Sequence, residues 1–71
     1  MTAEQLAAAL AELGYTPEEF ARITGTAPTN IWRALNGEVV IPMWMPIVTG
    51  LLTLRGGPEL AEAITAMYEQ E

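Results

Sequence analysis

Seventy-one residues with nine glutamates against three arginines, a net charge of −6, describe one small acidic domain. The chain has neither cysteine nor histidine, which excludes disulfides, thiolate metal sites and the commonest general base. A hydrophobic fraction of 51% argues against disorder and for a packed helical domain, part of that fraction being alanine, a strong helix former.

The first helix is predicted over Thr2 to Leu13. Thr2 caps it and Gln5 completes a capping box, while Leu6, Leu10 and Leu13 recur at i, i+4 and i+7 as a core-facing stripe. Glu4, Gln5 and Glu12 fall toward water, Gly14 stops the helix, and Tyr15 packs as a staple before the next cap. The second helix runs from Pro17 to about Thr24. Thr16 caps it, Pro17 takes the first helical position, where its missing N–H costs nothing, and Glu19 completes a second capping box. Phe20 and Ala21 face the core, and Gly25 supplies the left-handed cap. A third helix follows from about Pro28 to Leu35, with Gly37 beyond its end. Ile31 and Leu35 point inward, which turns Pro28, Thr29, Trp32 and Arg33 outward or to the flanks. Ala27 cannot cap this helix, so Thr26 is expected to do so one residue early.

The Thr-Pro-Glu-Glu-Phe-Ala opening, the Gly-Thr-Ala-Pro turn, Ile31 early in the following helix and the Asn36-Gly37 close make residues 15–37 resemble the helix-turn-helix of the phage repressor and Cro family, the xenobiotic-response-element regulators. The likeness extends more loosely over residues 3–55. It implies an all-α fold: a compact five-helix bundle, lambda-repressor-like, containing a helix-turn-helix, with residues 1–71 as a single domain. It also implies a transcriptional regulator that binds double-stranded DNA. The helix over 28–35 would enter the major groove, and a homodimer would span two half-sites roughly one helical turn apart. The positions this resemblance marks for DNA contact are Thr16, Thr29, Asn30, Arg33 and Asn36. Arg33 can donate two hydrogen bonds to a guanine edge, Thr29 can meet a thymine methyl or a phosphate, and Asn36 can hold the helix end or a phosphate. The sequence departs from the family at Pro28, which has no donor, and at Pro17, where a polar residue is frequent. It departs again at Ile23 and Thr24, where polar and aliphatic residues are usual in that order.

Glu38 to Pro46, EVVIPMWMP, holds too many apolar groups for a solvated loop. Some of Val39, Val40, Ile41, Met43, Trp44 and Met45 are expected to fill the core and the remainder to form an exposed patch. Ile41, Met43, Trp44 and Met45, together with Trp32, are the candidates for a partner or dimer interface. Trp32 has a second reading, lying over the edge of the core. The fourth helix starts between Met43 and Pro46 and runs to about Arg55. Ile47, Val48, Leu51, Leu52 and Leu54 cover more than one of its faces, so it is expected to be largely buried. Gly50 inside it should weaken it by about 1 kcal/mol relative to alanine unless close packing requires it. Gly56 and Gly57 end it, and Pro58 opens a fifth helix to about Gln70. The stripe Leu60, Ile64, Met67 and Tyr68 is expected to close the core, or else to join a dimer interface. Glu59, Glu62 and Glu69 lie opposite. Glu59 and Glu62 suit the helix dipole, while Glu69 and Glu71 oppose it.

Charge qualifies the function. Residues 16–38 hold Arg22 and Arg33 against Glu18, Glu19 and Glu38, a net of −1, and the rest of the acidity sits in the two ends. No face can gather more than three cations, so non-specific phosphate affinity should be weak. Arg22 is expected to be a solvated charge, and Arg33 either a base reader or a member of a surface ion pair. The alternative function is an acidic helix-turn-helix domain that contacts a protein (another regulator, a polymerase subunit, a phage or host factor) without binding DNA. A third is a dimerisation piece of a larger regulator. The glutamates sit on predicted solvent faces, lysine is absent and no glycine-rich phosphate loop occurs, so neither an enzyme nor a cofactor, metal or small-molecule ligand is expected. The N-terminus lacks basic residues, and the uncharged run from Val39 to Leu54 contains two prolines and a glycine and is short for a bilayer span. A cytoplasmic protein without membrane contact is expected.

Overall fold

The computed structural model describes residues 1–69, which form five α-helices with no strand among them. The first, α1 (Ala3–Leu13), opens on a full capping box: the Thr2 hydroxyl accepts from the Gln5 N–H at 3.1 Å, and the Gln5 carboxamide oxygen accepts from the Thr2 N–H at 2.8 Å. The second, α2 (Pro17–Thr24), opens on half of one. The Thr16 hydroxyl accepts from the Glu19 N–H, but the Glu19 carboxylate takes the Thr16 hydroxyl hydrogen at 3.1 Å instead of the Thr16 N–H. The third, α3 (Pro28–Leu35), has no side-chain cap. Thr26 does not supply one; its hydroxyl oxygen lies 3.1 Å from that of Thr24, in hydrogen-bond contact with it.

All three helices end in the same way. Gly14, Gly25 and Gly37 have φ of 75°, 70° and 73°, and the next N–H returns to the last turn: Tyr15 to the Leu10 carbonyl, Thr26 to Ala21, and Glu38 to Arg33, at 3.0, 2.9 and 2.9 Å. Each glycine reaches a backbone conformation that costs other residues energy, and each closure satisfies carbonyls that the helix leaves open.

The core is built from Leu6 and Leu10 of α1, Phe20 and Ala21 of α2, Ile31 and Ala34 of α3, and Met45 and Leu52 of α4 (Trp44–Leu52). Leu6, Phe20 and Ile31 are wholly enclosed, each contributing up to about 3 kcal/mol of apolar transfer. Ala34 takes the fully buried place expected for Leu35, which is half-buried. The small alanine lets α3 sit close against α1 and α2. Two threonines are buried, and both return their hydroxyls to their own helix: Thr49 to the Pro46 carbonyl at 3.1 Å and Thr65 to Ala61 at 2.8 Å. No buried side-chain polar atom among the described residues is left unsatisfied.

The second half of the chain differs from its predicted packing. Helix α4 buries one face, Met45, Thr49 and Leu52, and leaves Ile47 and Leu51 exposed, as is Leu54 just beyond its end. The last helix, α5 (Gly57–Glu69), starts one residue before Pro58, and its expected last residue, Gln70, lies outside the described residues, as does Glu71. Its apolar stripe does not close the core: Leu60, Ile64, Met67 and Tyr68 are all exposed, and the helix docks on α2 and α4 through Thr65 and the half-buried Ala61. On α2, Arg22 holds Glu62 and Glu69. These two share a side of α5 with Thr65 at helical spacing, so the side of α5 tied to α2 is not the one that carries the apolar stripe. The α4–α5 turn is tight. A Cβ on Gly57 would stand 2.6 Å from the Leu51 carbonyl oxygen, whereas one on Gly50 would meet nothing within 4 Å. Among the described residues no helix is long and apolar enough to cross a membrane.

Candidate functional site

Helix α3 presents the surface of interest. Its inner side, Ile31 and Ala34, is enclosed between α1 and α2, and this fixes which residues point out. Pro28, Thr29, Asn30, Trp32 and Arg33 are all exposed. Arg33 makes no ion pair among the described residues, so its guanidinium is available, and the surface ion pair considered for it is not formed. It borders a shallow depression with Thr26, Asn30, Pro42 and Trp44. A free guanidinium beside two short polar side chains, Thr29 and Asn30, offers a planar fork of donors to two acceptors in one plane.

The other positions that the resemblance marks for DNA contact, Thr16 and Asn36, are engaged or uncommitted. Thr16 is exposed, but its hydroxyl both accepts from and donates to Glu19. Asn36 is exposed, and the α3 end is held by Gly37 and Glu38 rather than by the Asn36 side chain.

The apolar interface candidates separate. Trp32 and Met43 are exposed. Ile41 is half-buried against the core, and Trp44, also half-buried, stacks on Phe20 with ring centroids 6.3 Å apart and planes 16° from parallel. Met45 is 3% exposed and belongs to the core, so it is not part of any surface; it is the first fully buried side chain of α4. Val39, Val40 and Met43 make the exposed remainder of the 38–46 segment.

Arg22 is the functional surprise of the charged residues. Read as a solvated charge, it instead joins α2 to α5, with Glu62 at 2.8 Å and Glu69 at 2.6 Å. Those hydrogen bonds, Glu69's first, push the Arg22 guanidinium further above its already high range, and the Arg22 hydrogen bond holds the Glu69 carboxyl below its ordinary value. The Tyr15 phenol is pushed up by burial and by the nearby charges of Glu62, Glu19 and Glu59, which marks the α1–α2–α5 side as the acidic one. The spacing of Glu62 and Glu69, two turns on one side of a helix, was visible in the sequence; their partner, 47 residues away from Glu69, was not.

No family model matches the chain, and no curated protein or solved structure matches it.

Proposed function

We propose that this chain is a small helix-turn-helix transcriptional regulator that binds double-stranded DNA through α3, as a homodimer in the cytoplasm. The observation that carries the reading is Arg33: exposed, without an ion-pair partner among the described residues, and on the same outward face as Thr29 and Asn30. Arg33 would read a guanine edge with its two-pronged donor set, and Thr29 and Asn30 would meet neighbouring bases or phosphates. The likeness of residues 15–37 to the phage repressor and Cro family supports the same assignment. With a net charge of −6, binding would depend on base contacts more than on general attraction to phosphate.

The test is a titration with random genomic fragments at about 20 mM salt, where electrostatic contacts are strongest, repeated on Arg33→Ala. Binding by the wild type and loss of sequence preference in the variant support the reading. Absence of binding even at this salt rejects it.

The second reading is a protein-interaction module, favoured by exposed Trp32 and Met43 on an acidic domain. Tryptophan and methionine are enriched in interface cores. Capture of a regulator or polymerase subunit that is lost in Trp32→Ala, with no DNA binding, would favour it.

A further inference from the structure

We infer that the groove between α4 and α5 is a binding site for an amphipathic anion, a single apolar chain that ends in a carboxylate. The groove is open, about 450 Å³ in volume, and lined by Ile23 of α2, by Val48, Leu51 and Leu52 of α4, and by Leu60 and Ile64 of α5. That volume falls within the range of small-molecule sites, about 300–1,000 Å³. The sequence alone gives no reason to expect a small ligand. The groove exists because the α5 stripe does not close the core, which leaves Leu60 and Ile64 exposed beside Leu51.

Three features select this chemistry. The first is that the hydroxyls along the groove are already spent. Thr24 and Thr65 line it, but each donates to its own helix, to the Phe20 and Ala61 carbonyls, both at 2.8 Å. A sugar or a nucleotide needs several fixed polar partners and finds no such set here, whereas an apolar chain gives up nothing. The second is Arg55. It is the only charged side chain lining the groove among the described residues, it is exposed, and it makes no ion pair among them. It sits in the turn that joins α4 to α5, so the cation stands at one end of the apolar run rather than along it. A guanidinium offers two parallel donors to a carboxylate. The third is where the carboxylates of α5 lie. Glu59 and Glu62 line a separate depression with Ala63 and Ala66 on the other side of that helix, and Arg22 holds Glu62 and Glu69. The domain has a net charge of −6, yet no carboxylate faces this groove among the described residues, and more distant repulsion is screened beyond about 8 Å at physiological salt. Trp44 at the start of α4 and Arg55 beyond its end both line the groove. The ligand therefore lies along α4, which rises about 13 Å over its nine residues, with its head at Arg55.

The inference goes beyond the regulator reading and does not rest on it. Its test is a titration of the full chain with decanoate at about 150 mM salt, followed by calorimetry and by amide and indole resonances, with decanol as the uncharged reference. Decanoate should bind saturably, one per chain, with shifts at Val48, Leu51, Leu60, Ile64 and the Trp44 indole and none at the Trp32 indole, which lies outside the groove. Decanol should bind about 10-fold more weakly or worse, the worth of a hydrogen bond to a charged group. Arg55→Gln should lower decanoate affinity by the same factor and leave that of decanol unchanged, and Ile64→Gln should weaken both ligands alike. Arg55 and Ile64 are exposed, so circular dichroism should remain helical in both variants. No saturation by about 1 mM, equal affinities for decanoate and decanol, or a decanoate affinity that survives Arg55→Gln overturns the inference. So do shifts centred on Trp32, Val40 and Met43, which would mean adsorption on the other exposed apolar groups. Groove shifts on dilution without any ligand would assign the groove to a second copy and overturn it as well.

Discussion

Arg22 on α2 and Glu69 on α5 form an ion pair at 2.6 Å, and the same guanidinium reaches Glu62, two turns earlier on the same side of α5, at 2.8 Å. The pair is half-exposed, so solvent screens it and its contribution to stability is small. Its consequence is positional: it ties the Thr65 side of α5 to α2. Folding holds the Glu69 carboxyl below its ordinary value of 4.5, so this contribution is complete above that value and is lost as pH falls through and below it. Arg22 stays charged throughout. Amide exchange in α5 should therefore quicken relative to α1–α3 as pH falls below 4.5, and this pH-dependent change should shrink in high salt, which already screens the pair. Arg22→Gln should show fast α5 exchange at all these pH values. Identical pH profiles for the two proteins would refute the clasp.

The two helical glycines should respond in opposite directions. Gly50→Ala should stabilise the fold by about 0.5–1 kcal/mol, because alanine has the better helix propensity and its methyl would meet no atom within 4 Å. Gly57→Ala should destabilise it, since the new methyl would press on the Leu51 and Leu52 carbonyl oxygens at 2.6 and 3.0 Å. Urea midpoints measure both, and equal signs would contradict the packing at the α4–α5 turn.

Phe20 should be the most sensitive core position. Truncation to alanine should cost about 3–5 kcal/mol, against a total of roughly 4–10 kcal/mol for a chain of this length. Because Phe20 stacks on Trp44, the native tryptophan emission should shift as well. A loss below about 1 kcal/mol would mean that the core does not close around this ring.

DNA binding, where it occurs, should be weakly salt-dependent. Arg33 and Arg55 are the arginines without an ion pair among the described residues, which limits each copy to two arginine–phosphate contacts. The slope of log affinity against log salt should be no steeper than about −2 per copy. A markedly steeper slope would require cations that this fold does not present.

The first three helices were legible because their signals are local. Thr2 with Gln5, Thr16 with Glu19, and the three cap glycines each act within a few residues, so helix bounds could be read directly. The outward placement of Thr29 and Arg33 followed from Ile31 facing in. The second half was not legible from pattern alone. The stripe of α5 has the period of a core-facing helix, yet it faces out, and the side that meets the domain is the one with Ala61 and Thr65, beside the glutamates that Arg22 holds. Met45 was open to either the core or an exposed patch in an unusually apolar loop and is in the core, because the helix begins at Trp44 and Met45 is on its inward turn. Hydrophobic periodicity tells which residues share a face; which neighbour claims that face is tertiary information.

The glycine closures after α1, α2 and α3 also set a timetable. Each joint is completed by bonds within one turn of chain, so the segment through Glu38 contains everything needed to stop and redirect its own helices. The clasp on α5 instead joins residues 47 apart, a loop whose closure costs more entropy. The expected order is α1–α3 early and α5 last, since contacts near in sequence form before distant ones. Pulsed hydrogen exchange during refolding would read it directly: protection at Leu6, Phe20 and Ile31 should precede protection at Thr65, and simultaneous protection would show that the domain assembles in one step.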